Sequence, residues 1–220
     1  MIVYCWVIDG KPFKSIDKHL VPKGIEPQEF ETENPSDIIY DPQAGQWRIK
    51  TEAEKLRAHK ERAIKEIDDK AQEYINKTFK SLDWGDDEAD ALTSIGNTID
   101  VLLGKILFLL IEDLENQNKD TSQITVSEFW KKTVLYFAGE YNPNEAIQDL
   151  QSLGVTDATI QKVLPLIGEL VKTASLKYWD EEVWEYAETI KAQIQKTTSI
   201  EEINQLMENL TFPPLPGGEE

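Results

Sequence analysis

Hydrophobic residues are densest between residues 92 and 114 of the chain. From Val101 to Ile111, every position except Gly104 and Lys105 is apolar. A helix that is apolar on nearly every side has to be enclosed by other elements. A membrane span is the alternative, but it needs about 18 or more largely uncharged residues. Charged residues precede, interrupt and close this run: Asp100, Lys105, Glu112 and Asp113. The pattern therefore predicts a buried helix at the centre of a helical domain, without membrane insertion.

The N-terminal residues have a different pattern, in which β-branched and aromatic residues form short runs. Residues 2–8 are such a run, and they end at Asp9-Gly10. This dipeptide favours a type I′ hairpin turn, because both central positions of that turn need a positive φ. Pro12 lies in the returning segment and predicts an edge strand, since proline cannot donate to a neighbouring strand.

A connector and a second hairpin complete this N-terminal region. Residues 21–36 contain three prolines in an acidic setting and predict an extended connector. Residues 38–49 contain two apolar runs around the turn-forming sequence DPQAGQ and predict another hairpin. We therefore predict a small β module over residues 1–50.

At Thr51 the pattern changes from strand to helix. Thr51 and Glu54 have the spacing of a capping box, in which two residues satisfy each other's backbone amides at a helix start. The first half of the helix that follows is polar on almost every side, so we expect it to cross open solvent. Its second half has an apolar stripe for docking. The sequence predicts a linking helix over residues 51–82.

Helical patterns continue through the rest of the chain. Acidic residues open the next helix after Gly85, where the partial positive charge of a helix N-terminus favours them. Amphipathic stripes follow in residues 126–137 and 160–174, another helix is expected to open at Asp180, and Ser199 has a capping-box spacing.

These patterns predict an acidic helical bundle of five or six helices over residues 83–212. Residues 213–220 are rich in proline and glycine and predict an extended tail. The predicted fold class is mainly α: a small N-terminal β module, a long linking helix and a C-terminal helical bundle.

The formal net charge of −18 is unevenly distributed. Residues 81–220 carry 9 basic and 26 acidic groups, which is −17 of the total. Such a surface repels phosphate backbones and argues against a nucleic-acid partner. The single cysteine, Cys5, excludes an internal disulfide. Because Cys5 lies in an apolar run, we interpret it as a small buried hydrophobe and not as a nucleophile.

Motifs that carry chemistry are missing from the sequence. It contains no GxSxG, P-loop, GxGxxG or HExxH pattern. His19 and His59 lie in polar surroundings, and the acidic run after Trp84 does not fit a calcium-binding loop. Glu112 and Asp113 are adjacent on a helix and point about 100° apart, so they cannot face one substrate. We predict a protein that is not an enzyme, with no catalytic residue, no metal site and no cofactor.

Aromatic residues are the remaining candidates for binding. The β module carries five that we predict to dock a partner: Tyr4, Trp6, Phe13, Tyr40 and Trp47. A second group forms a candidate aromatic surface for a sugar or a peptide: Tyr178, Trp179, Trp184 and Tyr186. The alternative, which we favour for the second group, is that these rings close the helical core.

Two stretches resemble proteins from the tail and tail-fibre region of tailed bacteriophages. The first is IIYDPQAGQWRIKTEAEKLRAHKERAIKEIDDKAQEYI, residues 38–75, a YDP–turn–W hairpin that continues into a charged, alanine- and lysine-rich helix. The second is residues 184–216, which are similar to the tryptophan-bearing helix and proline-rich end of several of these proteins. Together they cover about a third of the chain.

The resemblance implies a component of a virion tail or baseplate, made in the host cytoplasm, or a chaperone that assembles tail fibres. Neither role implies catalysis or a cofactor. The expected partners are other phage tail or fibre proteins, and an oligomer is possible within such an assembly. The leading hypothesis is a non-enzymatic structural or adaptor protein that bridges tail or fibre components through its β module. The alternatives are a tail-fibre assembly chaperone, a carboxylate-dependent cell-wall hydrolase and a cellular scaffold unrelated to phages.

Overall fold

The structure is a computed structural model that describes residues 1–121 and 143–215 of the 220-residue chain. It is mainly helical with a small N-terminal β module, as the sequence predicts. The chain divides into two compact units. The first unit contains Met1–Lys65 and Gln193–Asn209, and the second contains Glu66–Ala192 and Leu210–Glu220.

The β module belongs to the first unit and consists of two small antiparallel sheets. The strands are β1 Ile2–Ile8, β2 Lys11–Ser15, β3 Gln28–Glu31, β4 Ile38–Asp41 and β5 Gln46–Ile49. One sheet has the strand order β2-β1-β3, and the other pairs β4 with β5. Short 3-10 turns at Lys18–Leu20 and Pro35–Asp37 connect them.

Both predicted hairpins are confirmed. Asp9 and Gly10 have φ values of 50° and 76°, the positive angles that the predicted turn requires. Strand β2, which contains Pro12, lies at the edge of its sheet. Strand β3 lies inside the extended connector predicted over residues 21–36 and pairs with β1, and the sequence pattern does not predict this pairing. The sequence of β3, QEFE, contains a single apolar residue, Phe30, which packs against the small core of the module.

Five α-helices lie in the described residues. Their bounds are α1 Glu52–Ser81, α2 Glu88–Asn116, α3 Pro143–Ser152, α4 Asp157–Lys196 and α5 Ile200–Glu208. Two of the predicted capping boxes are present. The Thr51 amide donates to Glu54 at 2.8 Å while the Glu54 amide donates to Thr51 at 3.3 Å, and Ser199 forms the equivalent box at the start of α5.

The N-terminal half of α1 does not stand in open solvent, so that prediction is wrong. Within the first unit, His59 hydrogen-bonds to Asn204 of α5 at 3.0 Å, and Lys60 donates to the carbonyl of Gln195 at 2.8 Å. A helix that is polar on every side can pack through polar contacts, which its sequence pattern does not reveal. The division into units also differs from the predicted boundaries at residues 50 and 82, because it falls inside α1 after Lys65.

Helix α2 is buried on one face only, and the prediction that it is enclosed on every side is wrong for the described structure. Nine of its side chains are buried, from Ala91 to Leu114. Val101 and Phe108 are 54% and 66% exposed, however. By length and composition, α2 could also cross a membrane: its most apolar stretch has a mean hydropathy of 1.7, and 39% of that stretch is buried.

Helix α4 corrects the predicted division of the C-terminal region. It is continuous for 40 residues and contains both Pro165 and Asp180, so no new helix opens at Asp180. No glycine or proline lies between Ala174 and Asp180, and Asp180 is buried within the helix instead of capping one. The stripe predicted over residues 126–137 lies outside the described residues, so the number of helices in the bundle stays a prediction.

Candidate functional site

The β module has a very small apolar core. Val3, Cys5 and Ile38 are almost completely buried, and Phe30 and Trp47 pack against them. The Cys5 thiol is inside this core, and burial raises its pKa. A raised pKa keeps the thiol protonated and unreactive, which agrees with its interpretation as a small hydrophobe.

A lysine links the two sheets of the module. The Nζ of Lys14 donates to the carbonyl of Pro35 at 2.9 Å and to that of Ile38 at 2.8 Å. Since Lys14 is in β2 and Ile38 begins β4, these bonds connect an edge strand of the first sheet to the second. The module is therefore held by polar cross-links as well as by its small core.

The face of the first sheet opposite Val3 and Cys5 presents apolar side chains. Successive side chains of a strand alternate between faces, so Ile2, Tyr4 and Trp6 lie on this face with Phe13, which is the cross-strand partner of Trp6. We call these four residues the outer face. Ile2 and Phe13 are 47% and 43% exposed.

The outer face is organised around an aromatic pair. The rings of Trp6 and Phe13 stack at a centroid distance of 6.1 Å, and the ammonium of Lys18 lies 5.4 Å from the ring centre of Tyr4. Trp6 itself is only 8% exposed. It therefore supports Phe13 instead of meeting a partner directly, which corrects its predicted role as a docking residue.

The other two predicted docking residues belong to the second sheet. Tyr40 and Trp47 are cross-strand partners, and their rings meet edge to face at 5.4 Å. Trp47 packs into the small core, and its indole Nε1 is buried without a hydrogen-bond partner among the described residues. The five predicted residues thus form two separate groups, and only the outer face presents an exposed aromatic ring.

The second hairpin is fastened to the start of α1 by a charged pair. The Arg48 guanidinium donates two hydrogen bonds of 2.7 Å to the Glu54 carboxylate, and a weaker one of 3.4 Å to Asp41. The bonds from Arg48, followed by the Thr51 amide, lower the pKa of Glu54 to about 2. Glu54 therefore caps the helix and holds the hairpin at the same time.

The predicted aromatic surface of the second unit is divided between core and surface. Trp179 is fully buried and is not part of a surface, which corrects its inclusion there. Its ring meets those of Tyr74 and Phe79 at centroid distances of 5.6 Å in each case. Tyr178 is 37% exposed and lines a cleft of about 650 Å³ between α2 and α4.

Beside this core, the sequence did not anticipate a carboxyl group buried inside α4. Asp180 is 4% exposed, and its Oδ1 has no hydrogen-bond partner in residues 1–121 and 143–215. Burial, followed by the charges of Glu88 and Glu181, raises the pKa of Asp180 to about 7. Glu88 itself accepts hydrogen bonds from the Trp184 indole at 3.0 Å and from Gln72.

The other acidic groups that we considered for chemistry have structural partners. Asp113 accepts hydrogen bonds from the backbone and hydroxyl of Thr156 and from Thr159, at 2.6–3.0 Å, and so holds the start of α4. Asp87 caps α2, and Asp86 pairs with Lys80 at 2.8 Å. Within the described ranges, no group of three or more His, Cys, Asp or Glu side chains is arranged to hold a metal ion.

The comparisons with known proteins add no relative. No protein family, no curated protein and no solved structure matches the chain. Function is therefore inferred from the sequence and from the geometry described above.

Proposed function

We propose that this chain is a non-enzymatic, phage tail-associated structural or adaptor protein, which bridges tail or fibre components through its N-terminal β module. The resemblance of residues 38–75 and 184–216 to phage tail and tail-fibre proteins suggests the setting. The observation that carries the docking role is the concentration of exposed apolar side chains on the β module.

Twelve large apolar side chains are exposed in the described residues, and seven of them lie within the first 49 residues. These seven are Met1, Ile2, Val7, Phe13, Ile16, Leu20 and Ile49. Exposed apolar side chains on one face typically mark an interaction site, and two of these seven, Ile2 and Phe13, belong to the outer face. An apolar strand or loop of a partner, placed on the outer face, would cover Ile2 and Phe13.

The sheet edges support the same role. Strand β3 lies at the free edge of its sheet, where its backbone can pair with an added strand. Glu29 and Glu31 are on the outer face beside that edge, as cross-strand partners of Tyr4 and Ile2. A partner strand with basic side chains next to its apolar ones would complement this arrangement.

A pair of matched variants tests the docking surface. Phe13→Ser removes the exposed ring of the outer face, whereas Ile49→Ser changes an equally exposed residue, 43%, at the end of β5. We expect virions assembled with the Ile49→Ser chain to contain it at the wild-type stoichiometry and those with Phe13→Ser to lose most of it. Equal incorporation of both variants would exclude the outer face as the docking surface.

The location of the wild-type chain distinguishes the proposed role from the alternatives. A fixed stoichiometry in purified virions supports a structural part. Presence only in the lysate, bound to a fibre protein, would indicate an assembly chaperone instead. Clearing of bacterial wall material by the purified chain would indicate a hydrolase, and a gene neighbourhood without tail genes would favour a cellular scaffold.

A further inference from the structure

The C-terminal segment that follows α5 is docked in an aromatic groove of the second unit. Residues 210–215 have no regular secondary structure. The ring of Phe212 stacks on Tyr74 at a centroid distance of 5.4 Å and meets Tyr186 edge-on at 5.9 Å. Phe212 is thus held between two rings that belong to different helices, α1 and α4.

The backbone next to Phe212 is held by two side-chain donors. The carbonyl of Pro213 accepts hydrogen bonds from the hydroxyl of Tyr74 at 3.1 Å and from the indole Nε1 of Trp179 at 3.0 Å. Trp179 is fully buried, and Phe79 packs against it edge to face. The Trp179 donor is therefore held in place by the core of the unit.

This groove has the chemistry of a site that binds proline-rich segments. Such sites present aromatic rings whose polar edges donate to peptide carbonyls, and they take a segment that proline has already made stiff. Here Pro213 and Pro214 follow the ring of Phe212, and the groove is formed by Tyr74, Trp179 and Tyr186. All the donors and rings on the groove side come from side chains of α1 and α4.

We propose that the groove of Tyr74, Trp179 and Tyr186 is a recognition site for a Phe-Pro segment, and that the tail of a second copy of this chain can occupy it in place of the chain's own tail. Phe212 and Pro213 of the second copy would make the contacts described above. Exchange of an identical element between copies is a low-cost route to a dimer, because every contact of the closed form is formed again. This assignment is independent of the proposed association with phage tails.

A peptide titration tests recognition by the groove. In the 220-residue chain with Phe212→Ala, we expect the tail to lose its anchor and to leave the groove open. We expect a synthetic peptide of residues 209–215 to bind this variant about tenfold or more tightly than the same peptide with alanine in place of its phenylalanine, since the ring makes the aromatic contacts with Tyr74 and Tyr186. The indole N–H resonance of Trp179 should shift on binding, because this group donates to the peptide carbonyl.

Controls keep this titration interpretable. The Thr211→Ala chain changes a neighbouring exposed residue and should behave as wild type, in which the chain's own tail competes with the peptide and weakens its apparent affinity. If Phe212→Ala does not fold, as judged by circular dichroism, Phe212→Leu takes its place. Absence of saturable binding to a folded variant at about 1 mM peptide would overturn recognition by the groove.

Mixing two complementary variants tests the second copy as the occupant. Phe212→Ala has an intact groove and a weakened tail, whereas Tyr186→Ala has an intact tail and a weakened groove. At about 100 µM, we expect the mixture to form a dimer in sedimentation velocity, and each variant alone to form less of it. Tyr74→Phe, which loses only the hydroxyl donor, replaces Tyr186→Ala if that chain does not fold. Sedimentation of the mixture as the sum of its components would overturn exchange between copies.

Discussion

The β module and the second unit bury their apolar side chains in different ways. The β module has three nearly inaccessible core residues, Val3, Cys5 and Ile38, and relies on polar links such as those of Lys14. The second unit encloses Trp179 and Phe79 completely, together with apolar faces of α1, α2 and α4. The stability of the second unit is spread over many buried contacts. The β module depends on a few contacts and leaves apolar side chains exposed. We therefore expect the second unit to be the more stable of the two, and the β module to provide the exposed apolar side chains for binding.

The largest expected effect is the loss of the central ring of the second unit. Trp179→Ala should lower the free energy of unfolding by about 3–5 kcal/mol, because it removes a fully buried ring and leaves a cavity. It also removes the indole donor to Pro213. Urea denaturation followed by circular dichroism measures this change.

The neighbouring residue is the matched control for this measurement. Tyr178→Ala truncates a ring that is 37% exposed, and we expect a loss of about 1 kcal/mol or less. If the two substitutions cost the same, the second unit does not depend on a core around Trp179, and the contrast between the units disappears.

A substitution in the small core should affect the β module alone. Ile38→Ala removes a completely buried side chain, and we expect a loss of about 2–3 kcal/mol in the opening of the module. Hydrogen exchange should then be faster in β1, β4 and β5, while the amides of α2 keep their protection. Ile49→Ala, at a 43% exposed position, is the control and should leave both regions unchanged. Equal loss of protection in α2 would mean that the units unfold together.

Asp180 should make the second unit less stable as the pH rises. Its pKa in the folded chain is about 7, above the ordinary 3.8, so the native state binds more protons than the unfolded state between these values. Relative to Asp180→Asn, the wild type should lose about 2–3 kcal/mol of stability between about pH 5 and 8. Glu181→Gln removes one of the neighbouring charges that raise the pKa of Asp180, so it should reduce the loss of stability with pH by less than Asp180→Asn does. Parallel pH profiles of wild type and Asp180→Asn would contradict the burial of a neutral carboxyl here.

The smallest expected effect concerns the link between the second hairpin and α1. Its pH dependence is opposite to that of Asp180. Because the pKa of Glu54 is lowered to about 2 from 4.5, its contribution is present above pH 4.5 and is lost as the pH falls towards 2. Glu54→Gln should lower the melting temperature of the β module at neutral pH and have no effect near pH 2. Glu52→Gln is the control, since Glu52 pairs with Lys55 on an open surface. If both variants lowered the melting temperature equally, the cause would be the loss of a negative charge at the start of α1 and not the loss of the link to the hairpin.

The sequence predicts correctly those elements that depend on residues close to one another along the chain. The Asp9-Gly10 turn, the edge strand with Pro12 and the capping boxes at Thr51 and Ser199 each depend on residues close in sequence. The strand β3 was missed because its pattern is only four residues long and lies among prolines. The exposed side of α2 was missed because a nearly uniform apolar run does not indicate which side meets a neighbour.

The parts of the sites that depend on distant contacts could not be predicted. The sequence predicts that Asp180 opens a helix, because acidic residues are favoured in the first turn of a helix. Its burial follows from the packing of α4 in the second unit. The docking of Phe212 was also missed, because a proline-rich ending predicts only an extended chain. An aromatic residue directly before two prolines, at positions 212–214, is the signal that could have indicated it.

The continuity of helices α1 and α4 limits where a protease can separate the two units. Two of the three boundaries between the units, after Lys65 and after Ala192, are inside these helices, which are 30 and 40 residues long; the third, after Asn209, follows α5. Proteases cleave extended, accessible backbone, and a hydrogen-bonded helix does not offer it. Brief digestion should therefore fail to release either unit as a separate fragment, and a shortened version of the β module would have to carry the beginning of α1 and a piece from near the C-terminus.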